Sequence, residues 1–565
     1  MINTSYQSNA KLNGVYYTPK RLSDYIVYRL FGESGSRYQF DVTTLDVLEP
    51  SVGGGMFLDS LLNGNYYGDK YPLNVPKLNI DAIEIDTNVV RETRKKSGAY
   101  DKSKGSIDLI NGDYLEYYLS RDKKYDLIIG NPPYVRRRNL SLKQRKLCAE
   151  VHKKTGLSDE NPKNLWTSFL MGAKASLKNK GVIAFVLPTD LLQVKYSEEI
   201  RNILSHEFDR VEIFTFNWLA FKKFDDIEQD VVILICSNGH GKRDGVSFWH
   251  INDEKELDEP KITPDNNNTK RTTLNKWTNY ALTSEEFQLL DHLYSDVIKP
   301  KTIRDFCDSG AGIVTAANDY YIVDRCTVDK YSLWDIAKQA IKKSSSMFPA
   351  LTVTDADITR RSNEGAEVYF LDFPDKPKGS LTKKHQRYLA LCEEDGIHLR
   401  YKMLLRDNWY AVPSVWSSEA FFTKRSNVHP RIIVNEANAY VTDAFYRVRM
   451  KKGFNEKNLS FSFNNTFTFI YSELMGRYYG GGVLELTPNE FKGLPVPYVN
   501  GRINRKFNEL DKLIRKNTKL KDVLDYSDSI ILRDHYGLTS KEIRRLRDIY
   551  RKLLIRRLKK DNVEL

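Results

Sequence analysis

Cysteine is scarce. The 565 residues hold five (Cys148, Cys236, Cys307, Cys326 and Cys392), scattered and without a CxxC pair. That argues against a disulfide framework and a cysteine-based zinc site, and for a reducing cytoplasm. Nine histidines without metal-ligand spacing add nothing, so no metal is expected. No apolar run approaches the roughly 20 residues that a membrane span needs, and no membrane partner is expected. The opening stretch, MINTSYQSNAKLNG, lacks the apolar segment of a signal peptide. There is no G-x-G-x-x-G dinucleotide fingerprint and no glycine followed by Lys-Ser/Thr, so no P-loop. Internal repeats are absent as well.

What is present is ample core material. Hydrophobic residues make up 41% and aromatics 12%, which excludes a wholly disordered chain, and the length calls for two or three domains. Lysine and arginine number 87 against 74 acids, a net charge of +13. Two clusters stand out. Residues 135–154 carry eight bases against one acid, and residues 541–560 ten against two. Such patches favour a polyanion by releasing its counterions.

In the first half, short apolar runs alternate with helical stretches. LDVLE (45–49), LNIDAIEID (78–86), SIDLINGD (106–113), KYDLIIG (124–130), GVIAFVLP (181–188), DRVEIFTF (209–216) and QDVVILIC (229–236) read as strands. The alternation predicts an α/β fold with a parallel, doubly wound sheet, whose ligands bind at the carboxyl ends of the strands. Every unusual residue falls at such an end. Gly53–Gly55 follow the first strand and permit close approach of a ligand to the backbone. Glu84 ends the second and suits two ribose hydroxyls; Asp113 follows the third and suits an adenine amine. Together they describe a pocket for an adenosine-like cofactor. The fourth strand ends in Asn131-Pro132-Pro133-Tyr134, where two prolines stop the sheet ladder and hold the backbone stiffly.

These phrases resemble a known family, the gamma-class amino-methyltransferases of DNA, chiefly the N6-adenine enzymes of restriction–modification systems. GVYYTPKRLSDYIV (14–27) resembles the family's N-terminal cofactor motif, VLEPSVGGGMF (47–57) its glycine motif, AIEID (82–86) its ribose motif and NGDYL (111–115) its adenine motif. NPPY (131–134) matches the catalytic tetrapeptide letter for letter, and the order along the chain agrees. The resemblance covers roughly residues 11–236 and implies a Rossmann-like methyltransferase sheet. It also implies S-adenosyl-L-methionine as cofactor, with Thr18, Glu49, Pro50, Ser51, Glu84 and Asp113 lining its site. Val52 stands where the family often has a cysteine or another small residue. Weaker matches at 310–323, 406–414 and 480–497 look like parts of the family's target-recognition domain.

The chemistry suits an exocyclic amine. Its lone pair is delocalised into the ring, and two acceptors placed on its N–H bonds localise that pair. The Asn131 side-chain carbonyl can be one acceptor and the Pro132 backbone carbonyl the other. No cysteine stands near, which argues against methylation at carbon 5 of cytosine. A base in duplex DNA must first be rotated out, at a cost of about a few kcal/mol. Tyr134 offers a face to stack on it, and a second aromatic is expected at Phe224, with Phe221 as the alternative. Arg136, Arg137 and Arg138 are the expected DNA contacts, on a long basic loop spanning 135–163.

The expected division is a cofactor-binding catalytic domain over 1–245, a connecting region over 246–300, an α+β target-recognition domain over 301–500, and a basic helical C-terminus over 501–565. A dozen residues ahead of the first motif leave no room for a nuclease domain. The expectation is therefore a modification enzyme acting as a monomer on double-stranded DNA, its cognate restriction endonuclease encoded separately. Three rivals remain: methylation of cytosine N4, methylation of an RNA or protein amide on the same fold, and a catalytically inactive DNA-binding module.

Overall fold

The computed structural model describes residues 18–32, 38, 40, 42–64, 72–98, 100–159, 161–216, 231–240, 245–251, 253–260, 265–266, 277–344, 349–479, 482–558, 560 and 563. The chain divides into two compact units, residues 1–284 and 285–565.

The first unit is built on one nine-stranded sheet: β1 (Thr44–Glu49), β2 (Lys77–Glu84), β3 (Gly105–Asn111), β4 (Tyr125–Gly130), β5 (Leu177–Pro188), β6 (Arg210–Phe216), β7 (Val231–Ser237), β8 (Gly245–Ile251) and β9 (Asp265–Asn266), in the order β3-β2-β1-β4-β5-β7-β6-β8-β9. Strands β3, β2, β1, β4 and β5 run parallel. Helices lie between them in sequence: α1 (Lys20–Phe31) before β1, α2 (Met56–Leu62) after it, α3 (Thr87–Ser97) after β2 and α4 (Tyr114–Ser120) after β3. The expected α/β architecture is therefore present. The central strands read as continuous apolar runs because both faces are covered: Leu127, Ile128 and Ile129 of β4 are fully buried.

Three sequence expectations are corrected here. The sheet is not wholly parallel, because β7 inserts between β5 and β6 antiparallel to both. Strand composition carries no direction, since an apolar run buried on two faces reads the same either way. Residues 246–251, expected to open the connecting region, belong to β8, which pairs in parallel with all seven residues of β6. The segment 135–163, expected as a long loop, contains helix α5 (Leu142–Lys154), started by a capping box between Ser141 and Gln144. Its charged residues hide a narrow apolar stripe in which Cys148 and Val151 are fully buried. The longer helices that follow α5 among the described residues of this unit are α6 (Leu165–Ala175) and α7 (Glu198–Glu207).

The second unit is α+β. A five-stranded sheet runs in the order Cys307–Ala311, Phe445–Met450, Ala420–Thr423, Ile432–Asn435, Thr352–Val353. A second sheet joins Ile322–Val323, Tyr369–Leu371, Ala337–Ile341 and Tyr440–Val441, and helix Lys383–Glu394 packs its Tyr388, Leu389 and Cys392 into the same core as Phe370 and Leu371. From Asn504 onward the chain is helical, as expected, ending in Ser540–Leu558. Thr539 and Glu542 make a capping box, the threonine hydroxyl accepting from the Glu542 amide at 3.2 Å and the glutamate from the Thr539 amide at 2.7 Å.

That last helix corrects the reading of its charge. Its arginines do not all face water. Arg557 is 2% exposed; its Nε donates to Glu473 at 2.8 Å and Nη2 to the Val428 carbonyl at 2.8 Å. Arg547 pairs with the fully buried Asp528 at 3.0 Å, and Lys552 with Glu286 at 2.8 Å. A buried guanidinium is tolerated only when its donors are engaged, so Arg547 and Arg557 are held within the fold and do not serve as a polyanion patch.

Candidate active site

The strand order reverses between β1 and β4: β2 and β3 lie on one side, β5 on the other. That switch leaves a crevice at the carboxyl ends of the two middle strands. Glu49, Pro50 and Ser51 leave β1 there, and Asn131 leaves β4. The two segments are tied directly, the Ser51 hydroxyl donating to the Asn131 backbone carbonyl at 3.0 Å.

Asn131 is held at both ends of its amide. Nδ2 donates to Thr18 Oγ1 at 3.1 Å, and Oδ1 accepts from the Tyr134 hydroxyl at 2.6 Å. Tyr134 also reaches the Val186 carbonyl on β5 at 2.9 Å. A carbonyl oxygen has two lone pairs and can accept more than one hydrogen bond. Among the described residues none donates to the Pro132 carbonyl. The side-chain and backbone oxygens are thus acceptors on adjacent residues, on backbone fixed by two prolines. Thr18 belongs to this group because Pro19 caps α1, which brings the start of the helix to the strand ends. Tyr134 is only 6% exposed. Its packing and hydroxyl bonds give it a supporting task beside any stacking.

The acids on the neighbouring strand ends divide their work. Glu84 Oε2 accepts from the Gly53 amide at 2.9 Å and Oε1 from the Asp86 amide at 2.9 Å. The carboxylate thus props the glycine turn, where Gly53 and Gly55 have φ of +51° and +77°, values that an L side chain rarely adopts. Asp113 caps α4, its Oδ1 accepting from the Leu115 amide at 2.8 Å, and burial raises its pKa. Glu49 is different. It is fully buried, and neither carboxylate oxygen has a hydrogen-bond partner among the described residues. Burial, and secondarily the charge of Glu84, push its pKa well above the ordinary carboxylate value.

This set fits S-adenosyl-L-methionine. An orphaned buried carboxylate calls for a cationic partner, and the methionyl ammonium is one. Sequence reasoning gave one residue beside these strand ends no role. Ile85, just past the end of β2, is 62% exposed, and a side chain built on Gly112, before Asp113, would meet nothing within 4 Å. An exposed apolar side chain between two polar strand ends suits the flat face of an adenine. Its signal in the sequence was an isoleucine between two acids, Glu84 and Asp86.

Comparison with known proteins adds an independent line. The model of the Eco57I restriction-modification methylase family matches residues 58–221, and that of the C-terminal domain of Type II methyltransferase M.Eco57I matches residues 274–532. The chain belongs to the restriction–modification DNA methyltransferases. It is 22% identical over 520 residues to the Type II methyltransferase M.AccI of Acinetobacter calcoaceticus, covering 87% of this chain and 89% of that protein. M.BanIII of Aneurinibacillus aneurinilyticus is 22% identical over 453 residues, covering 71% and 74%. The type IIL restriction-modification enzyme MmeI, solved in complex with DNA, has a similar fold (TM-score 0.55, 13% identity, 90% of this chain and 73% of that one).

In this methyltransferase the three arginines after the tetrapeptide are not equivalent. Arg136 and Arg138 are exposed. Arg137 donates to Asn161 Oδ1 at 2.7 Å, and its carbonyl accepts from Arg145 Nε at 3.2 Å, so it braces the segment ahead of α5. Phe224 and Phe221 lie outside the described residues.

Proposed function

We propose that this restriction–modification methyltransferase transfers a methyl group from S-adenosyl-L-methionine to the N6 amine of an adenine rotated out of double-stranded DNA, as the modification enzyme of its system. The observation that carries the reading is the pair of acceptors at the end of β4: Asn131 Oδ1, oriented by Tyr134 and Thr18, and the Pro132 carbonyl.

An adenine amine entering between these oxygens donates one N–H to each, which draws its nitrogen toward tetrahedral geometry and frees the lone pair. When bound, the cofactor supplies an electrophilic methyl on a sulfonium; transfer to nitrogen leaves a neutral thioether and releases one amine proton. The chain's part is positioning and hydrogen bonding, with no covalent enzyme intermediate. Tyr134 gives the base a ring to stack on, a contact worth about 1–3 kcal/mol that offsets part of the cost of unstacking. Thr18, Glu49, Pro50, Ser51, Glu84 and Asp113 hold the cofactor, and Arg136 and Arg138 meet phosphates.

Incubating duplex DNA with methyl-labelled cofactor and digesting it to nucleosides tests this. Label is expected in N6-methyladenine. Label in N4-methylcytosine overturns the choice of base, and label in neither overturns the function.

Tyr134→Phe isolates the hydroxyl from the ring. The expected result is a methylation rate about fivefold lower, the ~1 kcal/mol of a lost hydrogen bond, with the DNA dissociation constant unchanged. A larger loss in DNA affinity than in rate would show that the hydroxyl serves binding instead.

A further inference from the structure

Trp416, in the second unit, meets two arginines. The guanidinium of Arg447 lies 4.1 Å from its ring centroid and that of Arg449 4.7 Å. Both belong to the strand Phe445–Met450, two residues apart, so they leave the same face of the five-stranded sheet. Their tasks differ. Arg447 is buried and spends its donors on backbone: Nε on the Ala311 carbonyl at 2.8 Å, Nη1 on the Ser414 and Trp416 carbonyls at 2.8 and 3.3 Å. It thereby fixes the segment that carries the indole. Arg449 is exposed, and among the described residues it makes no ion pair and donates no side-chain hydrogen bond. Stacking on Trp416 is the contact that aims it.

Acids on the adjoining strands are engaged elsewhere. Asp308, opposite Arg449 in the register, lies 3.9 Å from Lys451, and Glu419 accepts from the Met450 amide at 2.6 Å. Two cations therefore flank one indole without a carboxylate. Burial, and secondarily the charge of Arg449, hold the Arg447 pKa below its ordinary value. The floor beside them is open. Gly310 opposes Arg447 across the ladder, and a side chain built there would meet nothing within 4 Å. Its strand, Cys307–Ala311, is the edge of the sheet and carries short side chains at Asp308, Ser309 and Gly310.

A guanidinium presents N–H donors side by side in one plane, which suits two neighbouring acceptors. DNA offers that pair on guanine, whose O6 and N7 face the major groove. A phosphate needs only charge; a fork held in one direction by an aromatic ring suits a base edge. We propose that Arg449, aimed by Trp416, reads a guanine of the recognition sequence through O6 and N7. The inference rests on the proposed function only in taking DNA as the substrate.

The test begins with the sequence at which the wild-type enzyme methylates a plasmid. Short duplexes then carry that site with each base pair replaced in turn, and with 7-deazaguanine, which lacks the N7 acceptor, at each guanine in turn. Wild type is expected to reject replacement of one G·C pair about thirtyfold, as for a bidentate contact, and to lose rate on 7-deazaguanine there. Arg449→Ala is expected to methylate the intact site more slowly, to discriminate at that pair by less than about threefold, and to ignore the 7-deaza change, with other positions read as before. Arg449→Lys, which keeps the charge without the fork, should relax the same position. Cofactor affinity controls for folding. Losses spread evenly over all duplexes, with a shallower salt dependence, would make Arg449 a phosphate contact and overturn the reading. Unchanged discrimination in both variants overturns it too, and so does a wild-type enzyme indifferent to 7-deazaguanine at every position, a result that needs no variant to fold. A wild-type enzyme that methylates no DNA sinks the proposed function and this inference with it; every other failure leaves that function standing.

Discussion

Replacing Asn131 by alanine is expected to lower the methylation rate about a thousandfold while leaving the dissociation constants for cofactor and DNA within about threefold of wild type. The scale follows from other sites where one preorganised hydrogen-bonding group is removed from a developing charge, at about 10²–10³ in rate. The selectivity follows from the local contacts. Thr18 and Tyr134 lose a partner, but Tyr134 keeps the Val186 carbonyl, and Ser51 bonds to the Asn131 backbone, which alanine retains. The tetrapeptide should therefore stay in place without its side-chain acceptor. Asn131→Asp retains an oxygen at this position and is expected to keep more activity than alanine does. Single-turnover rates with direct binding measurements decide the matter. An alanine variant of unchanged rate would remove Asn131 from the chemistry, and equal losses of rate and DNA affinity would make it a binding residue.

Much of this site was legible because local chemistry and strand ends coincide. Leu127, Ile128 and Ile129 announce a buried strand, and the prolines after Asn131 can only stop it, so the tetrapeptide had to stand at a carboxyl end. Glu84 and Asp113 were placed at strand ends by the same logic. Their present hydrogen bonds, to the glycine turn and to the start of α4, were not, because a carboxylate's partner depends on backbone that only the fold places. The contact between Thr18 and Asn131 joins residues 113 positions apart, beyond any local pattern. Direction and burial were the other gaps. Nothing in QDVVILIC tells whether a strand runs with or against its neighbours, and β7 runs against. Charge was misleading where it was structural: α5 conceals Cys148 and Val151 among bases, and Arg557 is buried against Glu473. Formal charge counts a guanidinium alike whether it faces solvent or a carboxylate.

Glu49 was expected in the cofactor site, yet only the fold makes it the least comfortable acid there. Both its oxygens are buried and unpartnered among the described residues, and burial raises its pKa well above 4.5. The sign of the consequence follows directly. In the window from about pH 4.5 up to the raised value, the native state holds a proton that the unfolded chain has released, so stability falls as pH rises. Glu49→Gln removes the ionisation, and the cofactor-free variant is expected to lose that slope and to melt higher than wild type at the alkaline end of the window. Cofactor binding should change the opposite way. A cationic group beside Glu49 favours the carboxylate, so binding to the wild-type protein should release a proton and tighten with rising pH. The glutamine variant, offering no charge, should bind S-adenosyl-L-methionine about a hundredfold more weakly, or ~2.7 kcal/mol, within the range of a charge-assisted hydrogen bond. Calorimetry in two buffers of different ionisation enthalpy reads the affinity and the proton together. A variant that is stabilised but binds as tightly as wild type would mean that Glu49 faces no cation, and the ammonium would have to be held elsewhere along the β1–β4 crevice.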